Sequence, residues 1–248
     1  MSVKTAVILA AGMGTRLRSE HTGLPKGFLK LGEKCIVEES IDRLRAAGIK
    51  HIIIVTGHLS EFYEELAATS DDILTVHNDK FAESGSMYSL WLARDRIDGD
   101  FLLLESDLVY EQRALTTLLE GPREALLISG PTGAGDEVYV ETRDDRDAAF
   151  LYNMSKDADA LGADPSGELV GITRVSPELF RYMREYAEME FHQDNLYVDY
   201  ETDALVHAAQ KIPVSCPLVD DLIWTEIDDP SHLQRARETV YPRLQSEG

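Results

Sequence analysis

The sequence predicts an α/β fold, a mixed but mostly parallel sheet flanked by helices, on three observations. Residues 3–9 form a mostly apolar run that breaks into a small-residue turn, the pattern of a parallel strand buried on both faces. Two further β-branched runs, 51–55 and 73–76, alternate with helical patterns at 36–47 and 59–68. A fourth buried strand at 100–104 follows a helix at 86–96. Such βαβαβ alternation implies parallel pairing with right-handed crossovers.

In the first helix Ile36, Val37, Ile41 and Leu44 share a face, and Gly48 supplies the stop. The strand at 51–55 ends in Thr56-Gly57-His58. After about residue 110 the alternation loosens. Strands are expected at 125–129, 137–142, 150–154 and 168–175, with a charged turn at 143–148 and a polar, Gly-containing loop at 157–167. Helices follow at 177–190 and 200–210, late strands at 214–217 and 223–227, and a closing helix at 231–241. No repeat, low-complexity tract or linker interrupts the chain, so one domain over 1–248 is expected.

Bulk properties exclude some classes. There is no run of about 18 apolar residues, so no membrane span is expected. The first residues lead straight into a strand and lack the layout of a secretory signal. Cys35 and Cys216 are too few for a disulfide framework, which points to reduced thiols in the cytoplasm. Lys plus Arg total 24 against 45 Asp plus Glu, a net charge of −21. That balance argues against nucleic acid or an anionic membrane as a partner. An anionic substrate must therefore be held by a local basic pocket.

The most informative segment runs Leu9-Ala10-Ala11-Gly12-Met13-Gly14-Thr15-Arg16-Leu17, with Pro25-Lys26-Gly27 beyond a loop read as flexible. A turn of Ala and Gly lets backbone N–H groups approach a ligand and make an anion-binding nest. Arg16 and Lys26 add attraction for phosphate. The third glycine of a dinucleotide fingerprint is missing, as is the Gly-Lys-Ser/Thr of a P-loop. The seven histidines show no zinc spacing.

Three further groups bear on chemistry. Glu105-Ser106-Asp107 directly follows a central strand, where carboxylates of open α/β sheets face the ligand crevice. Asp228, in Glu226-Ile227-Asp228, sits between a late strand and a helix. Two such acids suit a hard divalent ion, and each equally suits a cap. Lys156 follows another strand, a position as common on solvated surface.

These residues resemble the nucleotidyltransferases that activate sugar phosphates and related small phosphates. The resemblance rests on residues 9–17 with Pro25-Lys26, the helix and strand through Gly57, Asp107, the Glu-Ile-Asp run, Lys156 and Gly167-Glu168-Leu169-Val170-Gly171. Asn78-Asp79-Lys80-Phe81 with Ser84-Gly85-Ser86-Met87-Tyr88-Ser89-Leu90 is similar to the cytidylyltransferase branch. Phosphonate members look nearest. Phosphocholine members tend to carry Asn near Gly85, and Lys26-Gly27 is similar to inositol-phosphate members, so the acceptor stays open.

The resemblance implies a Rossmann-like nucleotidyltransferase fold, with a nucleotide-binding half at 1–110 and an acceptor-binding half at 111–248. It implies Mg²⁺-dependent transfer of CMP from CTP to a small phosphonate or phosphate monoester, 2-aminoethylphosphonate being favoured. Leu9, Ala10, Gly85 and Ser86 would border the base, and Ala11, Gly12, Met13, Gly14 and Thr15 would wrap the phosphates. Arg16 would clamp the β- and γ-phosphates. Lys26 would stand between α-phosphate and acceptor. Asp107 and Asp228 would hold the metal; Tyr88, Lys156, Asp199, Tyr200 and Glu201 would meet the acceptor. Aromatic faces with carboxylates at Tyr197–Glu201 favour an ammonium group, although Asp199 also suits a helix cap. A UTP- or dTTP-using enzyme, a non-catalytic nucleotide-binding regulator and a homodimer remain open.

Overall fold

The structure, a computed structural model, describes residues 2–17, 23–135, 137–145 and 148–247. The first half alternates as expected: β1 (Thr5–Ala10), α1 (Ile36–Ala46), β2 (His51–Thr56), α2 (Ser60–Ala67), β3 (Ile73–His77), α3 (Ser86–Leu92) and β4 (Phe101–Glu105). β1 lies between β2 and β4, parallel to both, with β3 outside β2. The chain thus builds outward from β1 in one direction and then resumes on its other side at β4. Ligands of open α/β sheets bind at such a reversal, beyond the strands' C-terminal ends.

Beyond β4 the sheet turns antiparallel. β9 (Gly167–Val175) pairs antiparallel with β4 and with β6 (Ala125–Ser129), and β10 (Leu218–Val219) runs parallel to β6 at the edge. A hairpin of β7 (Tyr139–Asp145) and β8 (Ala148–Ser155) joins through β9. A separate ribbon pairs β5 (Leu108–Tyr110) antiparallel with β11 (Trp224–Glu226).

Alternation along the strands explains the sheet's two apolar layers. Val7, Leu9, Ile53 and Leu103 pack toward α3 and α5 (Pro177–Phe191), while Ile8, Ala10, Ile54 and Leu104 pack toward α1, α2 and α4 (Arg113–Glu120). Every residue of β1 is buried, as expected of a strand covered on both faces. A third cluster joins Leu17, Leu29, Val109 and Ile227 to Leu233 and Val240. It anchors both flanks of the segment between Arg16 and Lys26, whose residues 18–22 lie outside the described residues.

Several elements depart from the sequence expectation. The second half contains α4, with Ala114, Leu115 and Leu118 buried at helical spacing, and the short β5. The strands of the β7–β8 hairpin run through most of the expected charged turn, of which 146–147 lie outside the described residues. Residues 214–217 form no strand; Ser215 makes isolated bridges to Ala125 and Phe150, and pairing begins at Leu218. The helix expected at 200–210 opens with wide π turns over Tyr200–Leu205 before α6 (Val206–Ala209). The closing helix is α7 (Pro230–Arg235), a π segment over Ala236–Val240, and α8 (Tyr241–Glu247). Among the described residues no helix is long and apolar enough to cross a membrane.

Candidate active site

A cleft of about 740 Å³ opens at the C-terminal ends of β1 and β4. Register places Leu9 beside Glu105, and the Ser106 amide donates to the Leu9 carbonyl at 3.0 Å. From Ala10 the chain turns through Gly12 and Gly14 into a single 3₁₀ turn, Thr15–Leu17, and this turn forms one wall. Gly14 has φ of 55°, a conformation that side chains resist. Met13 does not line this cleft; it is 37% exposed and borders a smaller pocket with His58 and Leu24.

The residues expected to act on phosphate come together. Lys26 lies in the 3₁₀ turn Lys26–Phe28 that follows Pro25. Its ammonium donates to Asp107 Oδ2 at 2.8 Å and also to Asp228 Oδ1. Arg16 Nη2 donates to Asp228 Oδ2 at 2.7 Å. The pairing of β5 with β11 is what brings the two acids together, and the Ile227 amide donates to the Asp107 carbonyl. Both carboxylates have 7% side-chain exposure, against 53% for Arg16, so the arginine reaches in from solvent. Burial alone would lower the Lys26 pKa, but Asp107 and Asp228 outweigh it and hold the ammonium well above its ordinary value. Burial likewise pushes Asp228 up, yet Lys26 and Arg16 hold it below the usual carboxylate range.

Two carboxylates absent from the expected set stand beside these. Oxygens of Glu105, Asp107 and Glu226 lie within 4.8 Å of one another. Burial and the surrounding acids push Glu105 well above the ordinary range and Glu226 up to about 9. An all-oxygen set of this kind fits a hard divalent cation such as Mg²⁺. Asp107 belongs to it; Asp228 adjoins it through Lys26. Strand alternation was the available signal, because Glu105 and Glu226 each precede a recognised acid by two residues.

The far wall is made by α3 and the segment before α6. The Gly85 amide donates to the Leu196 carbonyl at 2.8 Å, and Ser86 Oγ donates to Asp199 Oδ2 at 2.9 Å. Asp199 Oδ1 accepts the amides of Glu201 and Thr202, each at 2.9 Å, so it caps the helix as well as lining the cleft. Glu201 and Lys156 also line the cleft. Burial and Asp199 push Glu201 up to about 8.

The expected aromatic faces do not reach the cleft. Tyr200 is fully buried, its hydroxyl donating to Glu201 Oε1. Tyr88 stacks on Trp91, with centroids 5.8 Å apart, and meets the edge of Phe191. Tyr197 is 67% exposed. The structure therefore gathers the carboxylates of this segment and turns its aromatic rings elsewhere.

Residues 6–164 match the family model for a MobA-like NTP transferase domain. Over 93% of its length the chain is 28% identical to a CMP-5'-(3-aminopropyl)phosphonate synthase of Streptomyces rubellomurinus, covering 38% of that protein. It is 28% identical over 97% of its length to a bifunctional IPC transferase and DIPP synthase of Thermococcus kodakarensis, covering 51%. The chain thus spans about half or less of the length of these curated relatives. In fold it is similar to an inositol-1-phosphate CTP transferase from T. maritima, with TM-score 0.77 and 19% identity, covering all of this chain and 96% of the other.

Proposed function

Because the chain belongs to the MobA-like NTP transferase family, we propose that it transfers CMP from CTP to a small phosphonate, 2-aminoethylphosphonate being favoured, and releases pyrophosphate. The observation that carries this reading is the Lys26 ammonium held between Asp107 and Asp228 beside the Gly12–Gly14 turn. The similarity to an aminoalkylphosphonate-activating relative supports the acceptor. So do Asp199 and Glu201, which line the cleft, since carboxylates in a partly desolvated cleft favour an ammonium group.

An acceptor oxygen attacks the α-phosphorus of CTP while the bond to the β-phosphate bridging oxygen breaks, and pyrophosphate leaves with that electron pair. The phosphonate oxygen is already ionised at neutral pH, so no general base is needed. Backbone amides of Gly12–Thr15 hold the triphosphate. Arg16, exposed and planar, exchanges its hold on Asp228 for the β- and γ-phosphates. Lys26 stands between α-phosphate and acceptor and offsets the charge that develops there. Asp107 and Asp228, with Glu105 and Glu226 beside them, would hold Mg²⁺, which supplies Lewis-acid neutralisation of the α-phosphate when bound. Leu9, Ala10, Gly85 and Ser86 border the base; Lys156, Asp199 and Glu201 meet the acceptor.

The Lys26-Gly27 pair favours a second reading with an inositol phosphate as acceptor. Pyrophosphate release measured across four NTPs and the acceptors 2-aminoethylphosphonate, phosphocholine, inositol 1-phosphate and glucose 1-phosphate separates the readings. Turnover is expected with CTP and the aminophosphonate. Preference for UTP or dTTP with the sugar phosphate would overturn the cytidylyl assignment, and preference for inositol phosphate would overturn the acceptor.

A further inference from the structure

Tyr63 lies on α2, outside every motif recognised in the sequence, and is the one fully buried side chain of that helix. It is 1% exposed, and its ring meets Phe28 edge-on with centroids 5.0 Å apart, which leaves it no room to swing. Its hydroxyl is directed at the turn that carries Lys26. A Cβ built on Gly27 would lie 2.8 Å from Tyr63 Oη and 2.9 Å from the Ser106 carbonyl oxygen, so only glycine lets these three segments meet. The Gly27 backbone and the Ser106 side chain are the polar groups that face the hydroxyl and act against the rise that burial imposes on its pKa. Gly27 follows Lys26, and Ser106 precedes Asp107. A single buried hydroxyl therefore faces the neighbours of both members of the Lys26–Asp107 ion pair.

We propose that Tyr63 is a positioning residue whose hydroxyl pins the Lys26–Gly27 turn against the end of β4 and so sets Lys26 Nζ against Asp107. The role rests on the cytidylyl-transfer reading, in which Lys26 acts at the reacting phosphorus. A buried hydroxyl costs free energy unless it is partnered, so this one orders whichever segments satisfy it. Small displacements of a catalytic cation cost rate far more than binding.

Tyr63→Phe keeps the ring and its packing on Phe28 and removes only the hydroxyl. Two measurements on the full chain test it. In wild type, the paired and half-buried Lys26 acetylates slowly with acetic anhydride, followed by peptide mass spectrometry; in Tyr63→Phe the rate rises about threefold or more as the turn opens locally. In steady state kcat falls about tenfold while the CTP KM changes less than about twofold. Ser106→Ala, which removes the other partner, moves both readouts in the same direction and serves if Tyr63→Phe fails to fold. An unchanged Lys26 rate, or a raised rate with unchanged kcat, overturns the proposal. If wild type turns over no nucleotide with any acceptor, the cytidylyl reading fails by itself, and the Lys26 rate still decides whether Tyr63 holds the turn.

Discussion

Lys26 Nζ lies 2.8 Å from Asp107 Oδ2, joining residues 81 apart in the chain, and the same ammonium donates to Asp228. Truncation of Lys26 leaves two 7%-exposed carboxylates facing each other, with Arg16 and the more distant Lys156 left to offset them. Lys26→Ala should lower kcat by at least about 100-fold, the scale of losing a preorganised charge at a reacting centre. Far-UV circular dichroism and cooperative unfolding should persist, because the turn is anchored by Leu29 and Tyr63 rather than by the ammonium. Near-normal turnover would remove Lys26 from the mechanism.

Asp199 and Glu201 present carboxyl groups to the cleft, and an ammonium beside Glu201 would favour its ionised form, but only Asp199 also caps a helix. Asp199→Asn retains the capping oxygen and removes charge; Asp199→Ala loses the cap as well, at about 1 kcal/mol. Asp199→Asn and Glu201→Gln should raise the KM of an amine-bearing acceptor about tenfold while the CTP KM moves less than about twofold, in initial-rate assays. Equal effects on both KM values would sink the ammonium reading.

Gly85 is wedged against the Val198 carbonyl, so an added Cβ meets backbone that cannot move aside. Gly85→Ala should destabilise the chain by about 1–3 kcal/mol in urea unfolding, as overpacking does. It should also raise the CTP KM, since the same residue immediately precedes α3 at the cleft wall. An unchanged urea midpoint would show that the far wall yields freely.

Glu201 and Glu226 are raised to about 8 and about 9, in each case first by burial. Unfolded, both ionise near the ordinary value of about 4.3. Between that pH and about 9 the folded chain holds more protons than the unfolded one, so stability falls as pH rises. This contribution is fully present below the unfolded pKa and is lost as pH passes through 8 and 9. Asp228, lowered, acts oppositely and loses its contribution only on acidification. In chelator-treated protein the thermal midpoint should fall from pH 5 to pH 9, and Glu226→Gln should flatten that slope. A divalent cation should restore stability at the alkaline end. A midpoint that climbs with pH across this window would contradict the raised carboxylates.

Much of the site can be read from the chain. The small-residue turn after β1, Lys26 behind a proline, and acids at the ends of β4 and β11 are local signals whose side-chain chemistry matches phosphate and metal. Glu105 and Glu226 escaped because a carboxylate two residues before a recognised acid looks ordinary until both strands are known to turn that face inward. Tyr88 and Tyr200 misled for the converse reason. Sequence shows an aromatic ring next to a carboxylate but not which way a helix rotates; Tyr200 turns into the core and Tyr88 packs on Trp91. The wide turns at Tyr200–Leu205 and the start of strand pairing at Leu218 rather than Val214 likewise depend on distant neighbours.

The succession of strands and helices in the first half, the burial of β1 and the small-residue turn that follows it come from apolar periodicity and from small residues, which act over a few positions. The meeting of Asp107 with Asp228 around one ammonium, the carboxylate cluster beside it and the wedge of Tyr63 against Gly27 were decided by tertiary structure. They depend on β5 pairing with β11 and on α2 docking beneath the Lys26 turn. Those contacts join segments far apart in the chain, and no local pattern encodes the register at which two such segments meet.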